Sequence, residues 1–142
     1  TVSLAAFVAT GCGSSADVST SSDAPSEEAE VSTASGIRLV SAQEGAEMQA
    51  NPPSDLVILD VRTLEEFDEA HLDGALLIDF YRDDFESAVS ELDRDQPYVI
   101  YCRSGNRSGQ ARELMADLGF TDVADIEGGI VAWEAEDLPT VE

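Results

Sequence analysis

The segment that decides the fold is Tyr98-Val99-Ile100-Tyr101-Cys102-Arg103-Ser104-Gly105-Asn106-Arg107-Ser108. Its first four residues form an apolar run typical of a buried strand, and an amphipathic segment at 110–118 follows it. Cys102 therefore lies where a strand ends and a helix begins, a place where backbone N–H groups converge and the helix dipole is positive. A thiol in that position ionises readily, and the thiolate is its reactive form. We predict that Cys102 is a nucleophile held in an anion-binding loop of about six or seven residues.

Strand-like and helical segments alternate on both sides of this loop. Apolar runs predict strands at 37–40, 56–59, 74–78, 97–101 and 123–126. Capping-box patterns begin helices at Ser41 and Thr63, and apolar residues at helical spacing predict others at 85–92, at 110–118 and around a core Trp133. This order predicts an α/β fold, an open parallel sheet of about five strands flanked by helices on both faces, in one domain at 37–142.

The composition excludes several classes of partner. The 142 residues include 30 acidic and 7 basic ones, all seven of them arginine, for a net charge of −23. Such a surface argues against nucleic-acid binding and against electrostatic docking on anionic lipid. It is compatible with a high-salt habitat, and equally with genomic compositional bias. Two cysteines in segments of different character and a single histidine, His71, predict no disulfide, no metal site and no cofactor.

The N-terminal segment has the character of a membrane anchor. Residues 1–12 are mostly apolar and end in Ala9-Thr10-Gly11-Cys12, which resembles a bacterial lipobox after a truncated signal peptide. The resemblance implies lipidation at Cys12 and a location on the extracytoplasmic face of the cell membrane. Residues 13–36 are acidic and rich in Ser and Ala, as expected of a disordered tether. The alternatives are an ordinary signal-peptide end or a frayed terminus.

Chemically useful side chains follow two of the predicted strands. Ligands bind beyond the carboxyl ends of parallel strands, where Asp60 and Arg62 follow one strand and the cysteine loop follows another. Gly105 permits a positive φ, so the loop N–H groups can turn inward around a substrate anion. The predicted substrate-binding residues are those of the loop: Arg103, Ser104, Gly105, Asn106, Arg107 and Ser108. The alternative, an inert core cysteine, needs neither a glycine nor two arginines beside it.

Four motif blocks together resemble a single-domain rhodanese, a rhodanese-like sulfurtransferase. They are Asp60-Val61-Arg62 with Glu65-Glu66-Phe67, then His71 to Ala75, then the cysteine loop, then Gly128-Gly129 with Trp133. The resemblance implies that the Cys102 thiolate takes a sulfur atom from an anionic donor such as thiosulfate and passes it to cyanide or a thiol. It also implies that Asp60 and Arg62 support the site and that His71 is structural.

The resemblance leaves two roles for Arg107, binding the donor or bracing the loop, and implies that Arg103 recruits the donor. Two other functions remain open. A phosphatase or arsenate reductase can use a similar loop, but cysteine phosphatases place arginine six residues after cysteine, whereas Arg107 is the fifth residue after Cys102. A shorter loop suits a sulfur atom better than a phosphate. The non-enzymatic alternative is a sulfur-carrier or binding module.

Overall fold

The computed structural model describes residues 36–142. Its strands and helices alternate along the chain: β1 Ile37–Val40, α1 Ala42–Ala50, β2 Val57–Asp60, α2 Leu64–Glu69, β3 Leu76–Leu77, α3 Phe85–Ser90, β4 Pro97–Tyr101, α4 Asn106–Asp117, β5 Asp122–Ile126 and α5 Gly129–Ala135. The capping boxes predicted at Ser41 and Thr63 both form, with each side chain accepting the backbone N–H of the glutamate three residues later. Two of the five helices therefore begin where their local sequence dictates.

The five strands form one parallel sheet in the order β1-β5-β4-β2-β3. This confirms the predicted open sheet and places β4, which leads into Cys102, at its centre. Asp60 at the end of β2 lies opposite Tyr101 at the end of β4. The two predicted strand-end groups are therefore neighbours at the carboxyl edge of the sheet, where ligands bind in folds of this kind.

Helices cover both faces of the sheet, as predicted. On one face, α3 and α4 contribute Phe85, Val89, Ala111 and Met115 to a buried cluster that also includes Cys102. On the other face, α1 and α5 contribute a second cluster that contains Ala42, Ile130 and Trp133. Trp133 is fully buried and its indole N–H donates to the Pro139 carbonyl at 2.8 Å, so the prediction of a core tryptophan is confirmed.

Two predicted boundaries were wrong. The strand predicted at 74–78 is reduced to Leu76–Leu77, because it is an edge strand that pairs only with the end of β2. The helix predicted to begin at Gln110 begins at Asn106, so Asn106, Arg107 and Ser108 form its first turn rather than the end of a loop. The apolar periodicity starts only at Ala111, which is why the sequence pattern missed this polar first turn.

The predictions for the signal peptide at 1–12, for lipidation at Cys12 and for the tether up to residue 35 lie outside the described residues. Within 36–142, none of the helices has both the length and the apolar character needed to cross a membrane.

Candidate active site

The end of β2 is fixed by a buried ion pair. Arg62 donates to both carboxylate oxygens of Asp60, with Nη2 to Oδ2 at 2.7 Å, and the two side chains are 5% and 0% exposed. Arg62 Nη2 also donates to the Ala70 carbonyl at 2.6 Å. The Tyr101 hydroxyl donates to Asp60 Oδ2 at 2.6 Å and accepts the Leu72 N–H. This network connects the residue before Cys102 to the adjacent strand, which fits the predicted supporting role of Asp60 and Arg62.

His71 belongs to the structure around this network. Its Nδ1 lies 2.8 Å from the Phe67 carbonyl oxygen, and its ring stacks on the Phe67 ring with a centroid distance of 3.7 Å. Its backbone exchanges two hydrogen bonds with Val141, each of 2.8 Å. These contacts agree with the structural role predicted for His71.

The Cys102 thiol sits beneath the N-terminus of α4. Gly105 adopts a φ of 98°, and its N–H donates to the Cys102 sulfur at 3.0 Å. Burial raises the pKa of the Cys102 thiol, but Ser108 and the backbone amides of Gly105 and Ser104 outweigh it, so the pKa lies below its usual value. The thiolate is therefore stabilised by N–H groups that no capping side chain occupies.

The other side of the loop is held by α5. The Cys102 carbonyl accepts the Ile130 N–H at 2.9 Å, and the Arg103 carbonyl accepts the Val131 N–H at 3.1 Å. Gly129 makes this approach possible, because a Cβ there would lie 2.3 Å from the Cys102 carbonyl oxygen. The double glycine of the sequence motif thus lets a helix terminus meet the loop backbone directly.

Arg107 braces the loop from outside. Its guanidinium makes a bidentate ion pair with Glu66, with Nη1 2.7 Å from Oε2 and Nη2 2.9 Å from Oε1. Its Cζ also lies 5.5 Å from the centroid of the Tyr81 ring. Glu66 Oε2 also accepts the Thr63 N–H as part of the capping box of α2. One carboxylate therefore joins the start of α2 to the first turn of α4. Of the two roles left open for Arg107, these contacts favour bracing.

We expect Glu66→Gln to lower the free energy of unfolding at pH 7 by about 2 kcal/mol. The bond to Arg107 lowers the pKa of Glu66 to about 2 from an ordinary 4.5, so the ionised carboxylate stabilises the fold at any pH above that ordinary value. This contribution is lost as the pH falls toward 2. Denaturant titrations at several pH values should show the difference between wild type and variant shrinking with acid. Glu65→Gln, an exposed neighbour with the same charge change, is the control and should have little effect at any pH.

Arg103 differs from every other arginine of the chain. Within the described residues, its guanidinium makes no hydrogen bond or ion pair, whereas the other six arginines each donate to a carboxylate or a carbonyl: Arg38, Arg62, Arg82, Arg94, Arg107 and Arg112. Arg103 is exposed and lines a cavity of about 400 Å³ together with Glu69, Val131 and Glu134. It is therefore the loop cation that an incoming anion can reach without breaking an existing bond. A cavity of about 810 Å³ elsewhere contains none of the predicted site residues.

Two polar groups lie buried behind the sulfur. Ser108 is fully buried and Asp125 is 1% exposed. Among the described residues, Ser108 Oγ and Asp125 Oδ1 are the buried side-chain oxygens without a hydrogen-bond partner of good geometry. Ser108 nevertheless lies near enough to both Cys102 and Asp125 to lower the pKa of each group.

The loop residues predicted from the sequence are thus brought together, but they do not share one environment. Arg103, Ser104 and Asn106 are exposed at the mouth, Gly105 contacts the sulfur, and Ser108 is buried beneath it. Sequence reasoning missed the contributions of Tyr101, Glu66 and Asp125. Glu66 was visible only as a capping residue, and no local signal connects it to an arginine on another helix.

Comparisons with known proteins agree with this geometry. The sequence model of one protein family, the rhodanese-like domain, matches residues 41–136 of the chain. "Probable adenylyltransferase/sulfurtransferase MoeZ" of Mycobacterium tuberculosis is 37% identical over 84 residues, which are 59% of this chain and 21% of MoeZ, so the chain spans about a fifth of that relative. A "Sulfurtransferase" of Allochromatium vinosum is 36% identical over 87 residues, 61% of this chain and 79% of that protein. A rhodanese-related protein from Thermoplasma volcanium has a TM-score of 0.64 at 30% identity, covering 73% of this chain and 97% of its own.

Proposed function

Because the chain belongs to the rhodanese-like domain family, whose named relatives include sulfurtransferases, we propose that it transfers sulfane sulfur through a persulfide on Cys102. The donor is thiosulfate or a similar small anion, and the acceptor is cyanide or a thiol. The observation that carries the proposal is the Gly105 N–H directed at the Cys102 sulfur at 3.0 Å, in a loop that lowers the pKa of the thiol.

In the first step the Cys102 thiolate attacks the outer sulfur of the donor. A new S–S bond forms, the S–S bond of thiosulfate breaks, and sulfite leaves with the electron pair. In the second step the acceptor attacks the outer sulfur of the persulfide and the Cys102 thiolate is regenerated. The reaction is covalent catalysis in two displacements, in which the acceptor is oxidised at the expense of the sulfane sulfur, so that no external oxidant is required.

The loop residues have different roles in the proposed sulfur transfer. The amides of Ser104 and Gly105 stabilise negative charge on the cysteine sulfur and then on the persulfide. Arg103 binds the anionic donor, because its guanidinium is exposed and has no competing partner within the described residues. Arg107 keeps the loop in shape through Glu66. The bond to Glu66 also argues against a phosphatase, in which the loop arginine must bind the substrate phosphate.

The test is intact-mass measurement of the full chain after incubation with thiosulfate under non-reducing conditions. We expect a gain of one sulfur atom, mapped to the Cys102 peptide and removed by cyanide with formation of thiocyanate. Absence of the gain together with turnover of an aryl phosphate would replace this proposal with the phosphatase. Absence of both would leave a binding module instead.

From the sequence alone, we also propose that Cys12 carries a lipid anchor that holds the domain at the extracytoplasmic face of the membrane. In cells that make the protein from its natural precursor, Cys12→Ala should release it from the membrane fraction. Retention of the variant in that fraction would contradict the anchor.

A further inference from the structure

Asp125 lies on the same face of the sheet as the nucleophile. It is the register partner of Ile100 on β4, so the two side chains project to the same side of the sheet. Cys102 follows Ile100 by two residues and joins the same buried cluster. Helix α4 covers this face and directs Ser108 and Arg112, one turn apart, at the carboxyl group. The topology therefore places a buried carboxyl group behind the reactive thiol.

The Ser108 hydroxyl connects the two groups. A hydroxyl has one proton to donate, and the Ser108 hydroxyl has two neighbouring acceptors, the Cys102 sulfur and the Asp125 carboxyl. It lowers the pKa of both groups. In the resting structure neither bond has good geometry, since Ser108 Oγ and Asp125 Oδ1 are both unsatisfied and buried. A buried donor in that position gains most by bonding to whichever neighbour carries the charge.

We propose that Asp125 is a positioning residue for the nucleophile. The Asp125 carboxyl competes with the Cys102 sulfur for the Ser108 hydroxyl and so sets how readily Cys102 holds a negative charge. When Asp125 is protonated, it can donate to Ser108 Oγ, and the hydroxyl is then free to donate to the thiolate. When Asp125 is ionised, its carboxylate draws the Ser108 hydroxyl away from the Cys102 sulfur.

The charges around Asp125 make this competition relevant near neutral pH. Burial raises the pKa of Asp125 to about 6, and Ser108 and Arg112 counteract the rise only in part. Arg112 Nη1 lies 3.3 Å from Oδ2 and its side chain is 21% exposed. The charged group that contacts this carboxyl is Arg112 from α4, while the register partners on the neighbouring strands are the apolar Ile100 and Leu39. Asp125 therefore changes its charge in the pH range around 6, close to the neutral pH at which a cysteine thiolate reacts.

The test is the rate of Cys102 alkylation as a function of pH in the full chain, resolved from Cys12 by peptide mass spectrometry. We expect Asp125→Asn to move the main rise of the profile to lower pH by about 1 unit, which is about a tenfold faster rate at a fixed pH below the midpoint. Asp117→Asn, an exposed change of the same charge on α4, should leave the profile in place. Coincident profiles for folded wild type and Asp125→Asn would refute the proposal.

Ser108→Ala provides the second arm and covers the case in which Asp125→Asn does not fold. Loss of the hydroxyl should move the Cys102 profile to higher pH, and the shift caused by Asp125→Asn should fall by about half in this background. A profile unchanged in Ser108→Ala, or an undiminished shift in the double variant, would show that the hydroxyl does not connect the groups.

The proposal rests on the proposed function only in taking Cys102 as the nucleophile. Alkylation needs no sulfur donor, so failure of sulfur transfer would be seen separately in the thiosulfate experiment.

Discussion

Replacement of Cys102 by serine is expected to lower kcat/KM for sulfur transfer from thiosulfate to cyanide by about 10⁴-fold or more. A serine hydroxyl does not ionise under conditions where this thiol does, and an oxygen nucleophile cannot form a persulfide. The change is small in volume, and the Gly105 N–H offers the buried serine oxygen a hydrogen-bond donor, so the fold should survive it. The loop amides would remain but would have no anionic sulfur to stabilise.

Thiocyanate formation measures this loss, and circular dichroism verifies the fold of the variant. Cys12→Ser is the matched control, because it makes the same chemical change in a segment outside the described domain and should retain full transfer activity in the purified chain. Substantial turnover by Cys102→Ser would mean that the sulfur passes through another group, and persulfide on Cys102 would then no longer explain the reaction.

The second large effect is expected at Gly129, where alanine should lower the free energy of unfolding by about 3 kcal/mol or more. Gly129 has a φ of 60°, and an alanine Cβ would lie 2.3 Å from the Cys102 carbonyl oxygen and 2.6 Å from the Arg103 carbonyl carbon. These contacts are with backbone, which cannot rotate away as a side chain could. Relief requires the N-terminus of α5 to move away from the loop, which breaks the bonds from Ile130 and Val131.

Urea unfolding of the variant gives the stability change, and the thiosulfate assay shows whether the surviving fold still transfers sulfur. Gly109→Ala is the control: Gly109 lies within α4, and a Cβ there meets nothing within 4 Å. It should be neutral or stabilising by up to about 1 kcal/mol, as alanine favours helix. If the two alanine variants unfolded alike, the close approach of α5 to the loop would not be the cause of the requirement for glycine.

Local sequence signals predicted the features that depend on neighbouring residues. Both capping boxes, the strand before Cys102 and the positive φ of Gly105 follow from residue type and spacing. The sheet order β1-β5-β4-β2-β3 was not predicted, because parallel strands joined by helices are compatible with several orders. The placement of Asp60 near the cysteine loop needed only the rule that carboxyl ends of parallel strands share one edge.

Features that depend on pairs distant in sequence could not be predicted. Nothing near Glu66 indicates Arg107 as its partner, and nothing near Asp125 indicates that it is buried on the face of the sheet that holds Cys102. An aspartate within a strand of apolar residues was the available signal, because burial of a carboxyl group is costly and calls for a reason. Its significance appears only when the strand register places it beside the nucleophile.

The two hydrogen bonds from α5 to the loop have a consequence for how the protein is made. A ribosome completes Cys102 and its loop well before it synthesises Ile130 and Val131, which hold the loop carbonyls. Strand β5, the neighbour of β4 in the sheet, is also made after the cysteine. The thiol of the described domain is therefore synthesised before the elements that enclose it, and it cannot reach its buried position until the last helix docks.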